Sequence, residues 1–255
     1  MNFVKMQATG NDFVIVEGGR WGRLAPRICD RRYGVGADGI IVLHPSKKAD
    51  IRARFINPDG SEAEACGNGL RCVAKYVYER GIKKKPILIE TKSGIKRAFP
   101  YVRGGKVRMV RVNMGKGEVI GDVEIDVGMK LKLTKVSVGN PHAVLLHDPD
   151  NFPLHKIGPK VENHPIFPER TNFEVAKVEG DGIKMRVWER GAGETLSCGT
   201  GACAVALAFF EKGLIGKEAK ITLPGGELKI LIEDEIWLEG PCEEVFRGEI
   251  SWKNI

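Results

Sequence analysis

Ala65-Cys66-Gly67-Asn68-Gly69-Leu70-Arg71-Cys72 and Ser197-Cys198-Gly199-Thr200-Gly201-Ala202-Cys203 are two versions of one phrase, and they decide how the chain is read. They sit inside longer stretches, Arg54 to Gly81 and Arg186 to Gly213, that align without a gap at an offset of 132. Arg54 falls on Arg186, Glu62 on Glu194, Cys66 on Cys198, Glu79 on Glu211 and Gly81 on Gly213. Further out, Thr9-Gly10-Asn11-Asp12-Phe13 matches Val138-Gly139-Asn140-Pro141-His142 at an offset of 129, and Gly94 falls on Gly226. A chain of 255 residues that repeats itself in this way reads as two domains made by duplication, each roughly 110–130 residues long. The boundary is expected at Asn113. The N-terminal domain is then 1–113, completed by a last strand within 244–255, and the C-terminal domain is 114–243.

Around the repeats the text consists of short apolar runs punctuated by Gly, Asn and Pro. Phe13–Val16, Gly39–Leu43, Ile51–Ile56, Ile87–Ile89, Lys106–Val110, Ala143–Leu146 and Lys184–Trp188 read as strands, and Glu227–Ile232 with Ile236–Leu238 as a hairpin. Two helices, predicted over Leu70–Arg80 and Ala202–Lys212, follow the two Cys-Gly-x-Gly motifs. Each has a basic residue in its last turn and glycine just past it, which is a C-terminal signature. The second helix is apolar almost all round, so it must be buried on every side. A sheet curled about one central helix achieves that. The expected fold is therefore α+β: two domains related by a pseudo-twofold axis, each a mixed, mostly antiparallel, barrel-like curled sheet around a central helix.

Composition narrows the function classes. Hydrophobic content of 42% and charged content of 29% are ordinary for a globular protein. No apolar run approaches the ~18 residues of a membrane span. The N-terminus carries no secretory pattern, so a cytoplasmic protein is expected. The net charge of +7 comes from Lys and Arg scattered among Asp and Glu. That reads as a solvated surface with some steering of an anionic substrate, rather than as a nucleic-acid footprint. The six cysteines include no Cys-x-x-Cys pair and no histidine at zinc spacing, so no metal is expected. Cys72 and Cys203 lie on apolar helical stretches and read as small buried hydrophobes. The Gly-x-Gly motifs lack the third glycine and trailing acid of a dinucleotide loop, and no P-loop lysine follows them. No lysine is marked as a Schiff-base former. The expected partner is a small-molecule substrate, with no cofactor, nucleic acid or membrane. A homodimer is left open.

Each Cys-Gly-x-Gly stands where a helix begins. Backbone N–H groups there are unpaired, and the helix dipole adds partial positive charge. The thiol pKa of Cys66 and of Cys198 is therefore expected to fall, and the N–H groups at Gly67, Asn68, Gly199 and Thr200 can hold a carboxylate. Two such helix ends facing each other would place one sulfur on each side of an α-carbon. One thiolate then removes the α-proton while the opposite thiol delivers one to the other face, each group serving as base in one direction and acid in the other. A lone Cys-Gly-x-Gly reads equally well as a helix-capping turn with a buried cysteine. Two copies at matched positions favour chemistry.

The chain resembles the diaminopimelate epimerases. The resemblance rests on Gly10-Asn11-Asp12-Phe13, Asn57-Pro58-Asp59-Gly60-Ser61, the segment Ala65 to Cys72, Gly139-Asn140-Pro141-His142 and Glu169-Arg170-Thr171-Asn172. It is most specific over the run from Glu189 to Cys203. It implies interconversion of LL- and meso-2,6-diaminoheptanedioate without a cofactor, with Cys66 and Cys198 as the acid/base thiols and His142 and Glu189 tuning them. The substrate carries a second amino-acid head, which needs a carboxylate clamp, an ammonium acceptor and neutral hydrogen-bond groups. Arg190, Glu189 and the amides of Asn11, Asn57, Asn140 and Asn172 are suited to those roles. The competing reading of the asparagines, as turn residues, is serious for Asn11 and Asn140, each of which follows a glycine. For His142 the competing reading is a satisfied core histidine.

One position departs from the family pattern: some members carry Gln where this chain has Gly39, so no contact is assigned there. The nearest rival is a related two-cysteine racemase such as a proline racemase, although proline offers no distal head for Arg190 and the asparagines. Isomerases of the phenazine-biosynthesis type share the fold family but lack the cysteine pair, which is present here. A redox or metal module using Cys66 and Cys198 is the rival from another class.

Overall fold

The computed structural model describes residues 1–64 and 66–251. Ala65 and the end of the expected last strand, from Trp252, lie outside the described residues. The chain divides into two compact units, one of Met1–Val112 with the chain from Gly240 onward, the other of Asn113–Glu239.

Unit 1 begins with β1 (Asn2–Ala8) and β2 (Asn11–Glu17), then α1 (Ala25–Cys29), β3 (Gly39–His44), β4 (Ile51–Ile56) and the short β5 (Glu62–Ala63). It continues through α2 (Gly67–Glu79), β6 (Ile87–Thr91), β7 (Gly94–Arg103) and β8 (Lys106–Gly115), the last running to the division. Unit 2 contains β9 (Glu118–Asp126), β10 (Lys130–Ser137), β11 (Pro141–Leu146), α3 (Leu154–Glu162), β12 (Asn172–Glu179), β13 (Gly182–Glu189) and β14 (Gly193–Thr195). It ends with α4 (Gly199–Glu211), β15 (Glu218–Leu223), β16 (Gly226–Ile232) and β17 (Ile236–Pro241). β18 (Glu243–Glu249) returns to unit 1, where it pairs antiparallel with β1.

The pairings repeat strand for strand. In unit 1, β1–β2 is antiparallel, β2–β3 parallel, β3–β4 and β4–β5 antiparallel, β4–β6 parallel and β6–β7 antiparallel. In unit 2 the same sequence of senses runs through β10–β11, β11–β12, β12–β13, β13–β14, β13–β15 and β15–β16. The register repeats as well: Ile51 and Arg52 pair with Ile89 and Glu90, and Ile183 and Lys184 pair with Ile221 and Thr222. Even the bidentate ion pair recurs. The Arg54 guanidinium donates to Glu62 at 3.1 and 2.7 Å, and that of Arg186 to Glu194 at 2.7 and 3.0 Å.

Within each unit the strands pack around a central helix. α2 packs on β1, β6, β7 and β18, and α4 on β9, β10, β11, β12, β15 and β16. α4 is buried from Gly201 to Phe209, as an apolar surface on all sides demands. α2 is buried from Gly67 to Val77 yet carries Arg71 and Lys75 inside. Their charges are met: Arg71 donates to the Thr9 hydroxyl and the Pro241 carbonyl, and Lys75 to Glu79 and the Val107 carbonyl. Cys72 and Cys203 are fully buried. The architecture is the sheet-dominated mixed fold read from the sequence. Both helices start three residues earlier than predicted, so Gly-x-Gly forms the first turn and the cysteine is the N-cap. The basic residues expected in the last turn, Arg80 and Lys212, stand at the C-caps instead. Among the described residues no helix is long and apolar enough to cross a membrane.

Candidate active site

In unit 1 the site is built around the N-terminus of α2. Cys66 has extended backbone (φ −136°, ψ 118°), so its side chain leaves the helix axis while its carbonyl accepts from Leu70 N–H at 2.8 Å. The β1–β2 hairpin turns on Thr9-Gly10, both with positive φ (50° and 82°), the conformation that a two-residue hairpin favours. This turn delivers Asn11 to the helix end. Its Oδ1 lies 3.7 Å from the Cys66 sulfur and accepts from the buried Asn68 amide at 3.3 Å. The same Asn11 amide donates through Nδ2 to Asp38 at 2.7 Å. Asp38 is held in turn by Arg31 at 2.6 Å, and Arg31 also reaches Asp12, which pairs with Lys5 at 2.6 Å. Burial raises the Asp12 carboxyl, but hydrogen bonds from Arg31 and Lys5 outweigh it and hold Asp12 well below the usual carboxylate range.

Asn57 does not join this group. Its amide donates to Ser61 Oγ at 3.0 Å and its backbone closes the Asn57–Ser61 turn. Gly39 opens β3, and a Cβ built there would stand 2.8 Å from the Ile56 carbonyl. That position has no room for a side chain in this protein.

In unit 2 the N-terminus of α4 carries the second group. The Cys198 sulfur accepts from Gly201 N–H at 3.4 Å and lies 3.4 Å from the Thr200 hydroxyl. Thr200 in turn lies 3.5 Å from the Asn140 amide, which donates to it. Asn140 Oδ1 is 3.0 Å from Nε2 of His142, and Nδ1 of His142 is 2.7 Å from Glu174. Glu189 accepts from the Thr195 hydroxyl. Its carboxyl is pushed up by burial, against hydrogen bonds from Thr195 and Cys198 that favour the charged form. Asn172 is buried: its amide donates to the Pro141 carbonyl at 2.9 Å and its Oδ1 accepts from Arg190 N–H at 3.0 Å. It thus braces the backbone that carries Glu189 and Arg190, while the Arg190 guanidinium donates to the Glu169 carbonyl at 2.9 Å.

The expectation of a depressed pKa is corrected for Cys198. Burial pushes its thiol well above the ordinary range, and the negative charges of Glu189 and Glu174 push it the same way. Hydrogen bonds from Thr200 and Gly201 oppose them without prevailing. The helix-end field is present, but burial, together with the two carboxylates beside the sulfur, outweighs it. That environment favours the thiol form of Cys198, a proton donor.

Sequence reasoning missed Glu174, Asp38 and Thr195. Glu174 carries a readable signal, a lone carboxylate inside the apolar run Phe173-Glu174-Val175-Ala176. Asp38 and Thr195 have only their neighbourhood in the motifs. Among the described residues, no group of three or more His, Cys, Asp or Glu side chains is placed to hold a metal ion.

The profile of the diaminopimelate epimerase family matches residues 3–120 and 134–245. The diaminopimelate epimerase of Pelotomaculum thermopropionicum is 44% identical across 99% of this chain and 100% of its own length. That of Methanococcus maripaludis is 43% identical across 98% of this chain and 100% of its own. Among solved structures, a probable proline racemase from Agrobacterium radiobacter superposes with a TM-score of 0.78 at 19% identity, covering 98% of this chain and 92% of that one. A PhzF-family phenazine biosynthesis protein from Bacillus anthracis superposes at 0.79 with 17% identity, covering 99% of both. At such identities the two structures speak for the fold alone.

Proposed function

The chain belongs to the diaminopimelate epimerase family, and from that premise we propose that it interconverts LL- and meso-2,6-diaminoheptanedioate by a two-base reaction of Cys66 and Cys198. One thiolate takes the α-proton and one thiol gives a proton to the opposite face, so the pair must hold a single proton between them. The observation that carries the reading is that each cysteine is the N-cap of a buried helix whose first turn is Gly-x-Gly. The N–H groups of that turn suit a carboxylate and the negative charge that develops on it as the α-proton leaves. The raised thiol of Cys198 suits the acid, so Cys66 acts as base for the isomer whose proton faces it. In the reverse direction the roles exchange.

We assign Asn11, Asn68, Gly67, Asn140, Thr200 and Gly199 to the reacting end, with His142 and Glu189 tuning Cys198. Asn57, Asn172, Glu189 and Arg190 are assigned to the distal amino-acid head, where Arg190 can hold a carboxylate and Glu189 an ammonium group. A site built for that head rejects substrates that lack it, because its buried polar groups are left unpaired. The shared strand order supports a duplication in which both units keep one thiol. A dithiol mechanism needs a reducing setting, such as the cytoplasm provides. The test is substrate preference. LL-diaminopimelate should be epimerised, and L-proline should not be racemised at a comparable kcat/KM. Faster turnover of proline would transfer the assignment to the proline racemases.

A further inference from the structure

The two units supply an internal comparison. Phe13 in β2 and His142 in β11 match in the repeat, and by sheet register Ile41 in β3 matches Glu174 in β12. Both Ile41 and Glu174 lie against the first turn of their own helix. A Cβ built on Gly69 would meet Ile41 at 3.3 Å, and one built on Gly201 would meet Glu174 Oε1 at 2.8 Å. Unit 1 fills this slot with two apolar side chains. Unit 2 fills it with an ionisable pair whose side chains are both 0% exposed. Desolvating such a pair costs several kcal/mol, roughly, and an apolar pair of similar volume often serves stability as well or better. Unit 1 shows that the same fold accepts the apolar solution, so stability alone does not account for the pair.

We infer that Glu174 is a positioning residue for the Cys198 half of the reaction, an inference that rests on the two-thiol reading above. A carboxylate can only accept, so Nδ1 of His142 carries a hydrogen and the plane of the ring is fixed. Nε2 faces Asn140 Oδ1, also an acceptor, so in this arrangement both ring nitrogens donate, and the Asn140 amide is turned so that Nδ2 donates to Thr200. The Thr200 hydroxyl is one of the groups that contact the Cys198 sulfur, with Gly201 N–H and the Glu189 carboxyl. Four contacts thus lead from Glu174 to the sulfur, and each step sets the orientation of the next. Unit 1 orients its own asparagine differently, from the exposed Asp38 on the other side. The titratable groups that face Glu174 are His142 on β11, Glu189 on β13 and Cys198 at the start of α4.

The test compares wild type with Glu174→Gln, an isostere without the charge, in two assays. In the first, kcat for LL-diaminopimelate should fall about 10²-fold, the cost of a slightly misplaced catalytic group. KM should change far less than kcat, because the groups assigned to the distal head are left alone. In the second, Cys198 alkylation is followed against pH without substrate. The curve should move to lower pH, since a negative charge beside the thiol is gone. If Glu174→Gln unfolds, the pair Glu174→Ile with His142→Phe, which copies unit 1, replaces it. That variant should melt at or above the wild-type temperature and still lose epimerisation. An unchanged kcat together with an unchanged alkylation curve for Glu174→Gln overturns the inference, as does a paired variant that keeps full activity. The alkylation assay does not need turnover. Absence of epimerisation by the wild type would therefore sink the functional reading while leaving this inference to be decided on its own.

Discussion

The two cysteines share a motif but not an environment. Cys66 is half-exposed beside neutral amides, whereas Cys198 is buried beside Glu189 and Glu174. At neutral pH, iodoacetamide should therefore label Cys66 ahead of Cys198, and labelling of Cys198 should grow as pH rises. Glu189→Gln removes one of the two charges that favour the thiol, so the Cys198 curve should shift to lower pH. Peptide mapping by mass spectrometry reads both. Equal labelling of the two at neutral pH would contradict the assignment of Cys198 as the resting acid. The positions of Cys66 and Cys198 were legible in the sequence because a duplicated motif is self-evident. The thiol shift was not, because it depends first on burial and then on Glu189 and Glu174, side chains that only the fold brings beside the sulfur.

Strands whose apolar residues alternate with charged ones, such as Ile51–Ile56, could be read directly, and β4 has those bounds. β12 could not. It is buried on both faces from Asn172 to Ala176, so the alternation that marks a half-buried strand is missing and its glutamate reads as solvent-facing. β7 is hidden by Lys96, Arg97 and Pro100, and α3 by the internal Pro159. Of the two helices that were legible, α4 should be the less tolerant. Phe209→Ala removes a fully buried ring and should cost about 3–5 kcal/mol in urea unfolding. Gly201→Ala should lower activity more than stability, because its Cβ would press on Glu174 and on Cys198 Cβ at 3.3 Å. The cluster of Lys5, Asp12 and Arg31 ties β1 and β2 to the segment after α1. The folded pKa of Asp12 is depressed, so its contribution is complete above its ordinary 3.8 and is lost as pH falls toward the lower folded value. Asp12→Asn should remove that acid-side dependence and cost about 3 kcal/mol at neutral pH, the lower end for breaking a largely buried pair. An unchanged acid unfolding midpoint would contradict it.

Across the whole molecule, one strand order is used twice and then specialised. Asn57-Pro58 in unit 1 stands where unit 2 has Glu189-Arg190, Phe13 where it has His142, and Ile41 where it has Glu174. The charges that tune a thiol and those suited to a distal head both gather in unit 2, while unit 1 keeps amides around its cysteine. A reaction that runs in both directions needs two proton carriers, whereas recognition of an unreacting end needs only one set of groups. The central claim, that both thiols act on one α-carbon, is tested most directly by turning over LL-diaminopimelate in heavy water without added cofactor. Wild type should give meso product carrying deuterium at one α-carbon, and Cys66→Ala and Cys198→Ala should each lose epimerisation by about 10³-fold or more. Deuterated meso product at near wild-type rate from either alanine variant would contradict the two-thiol account.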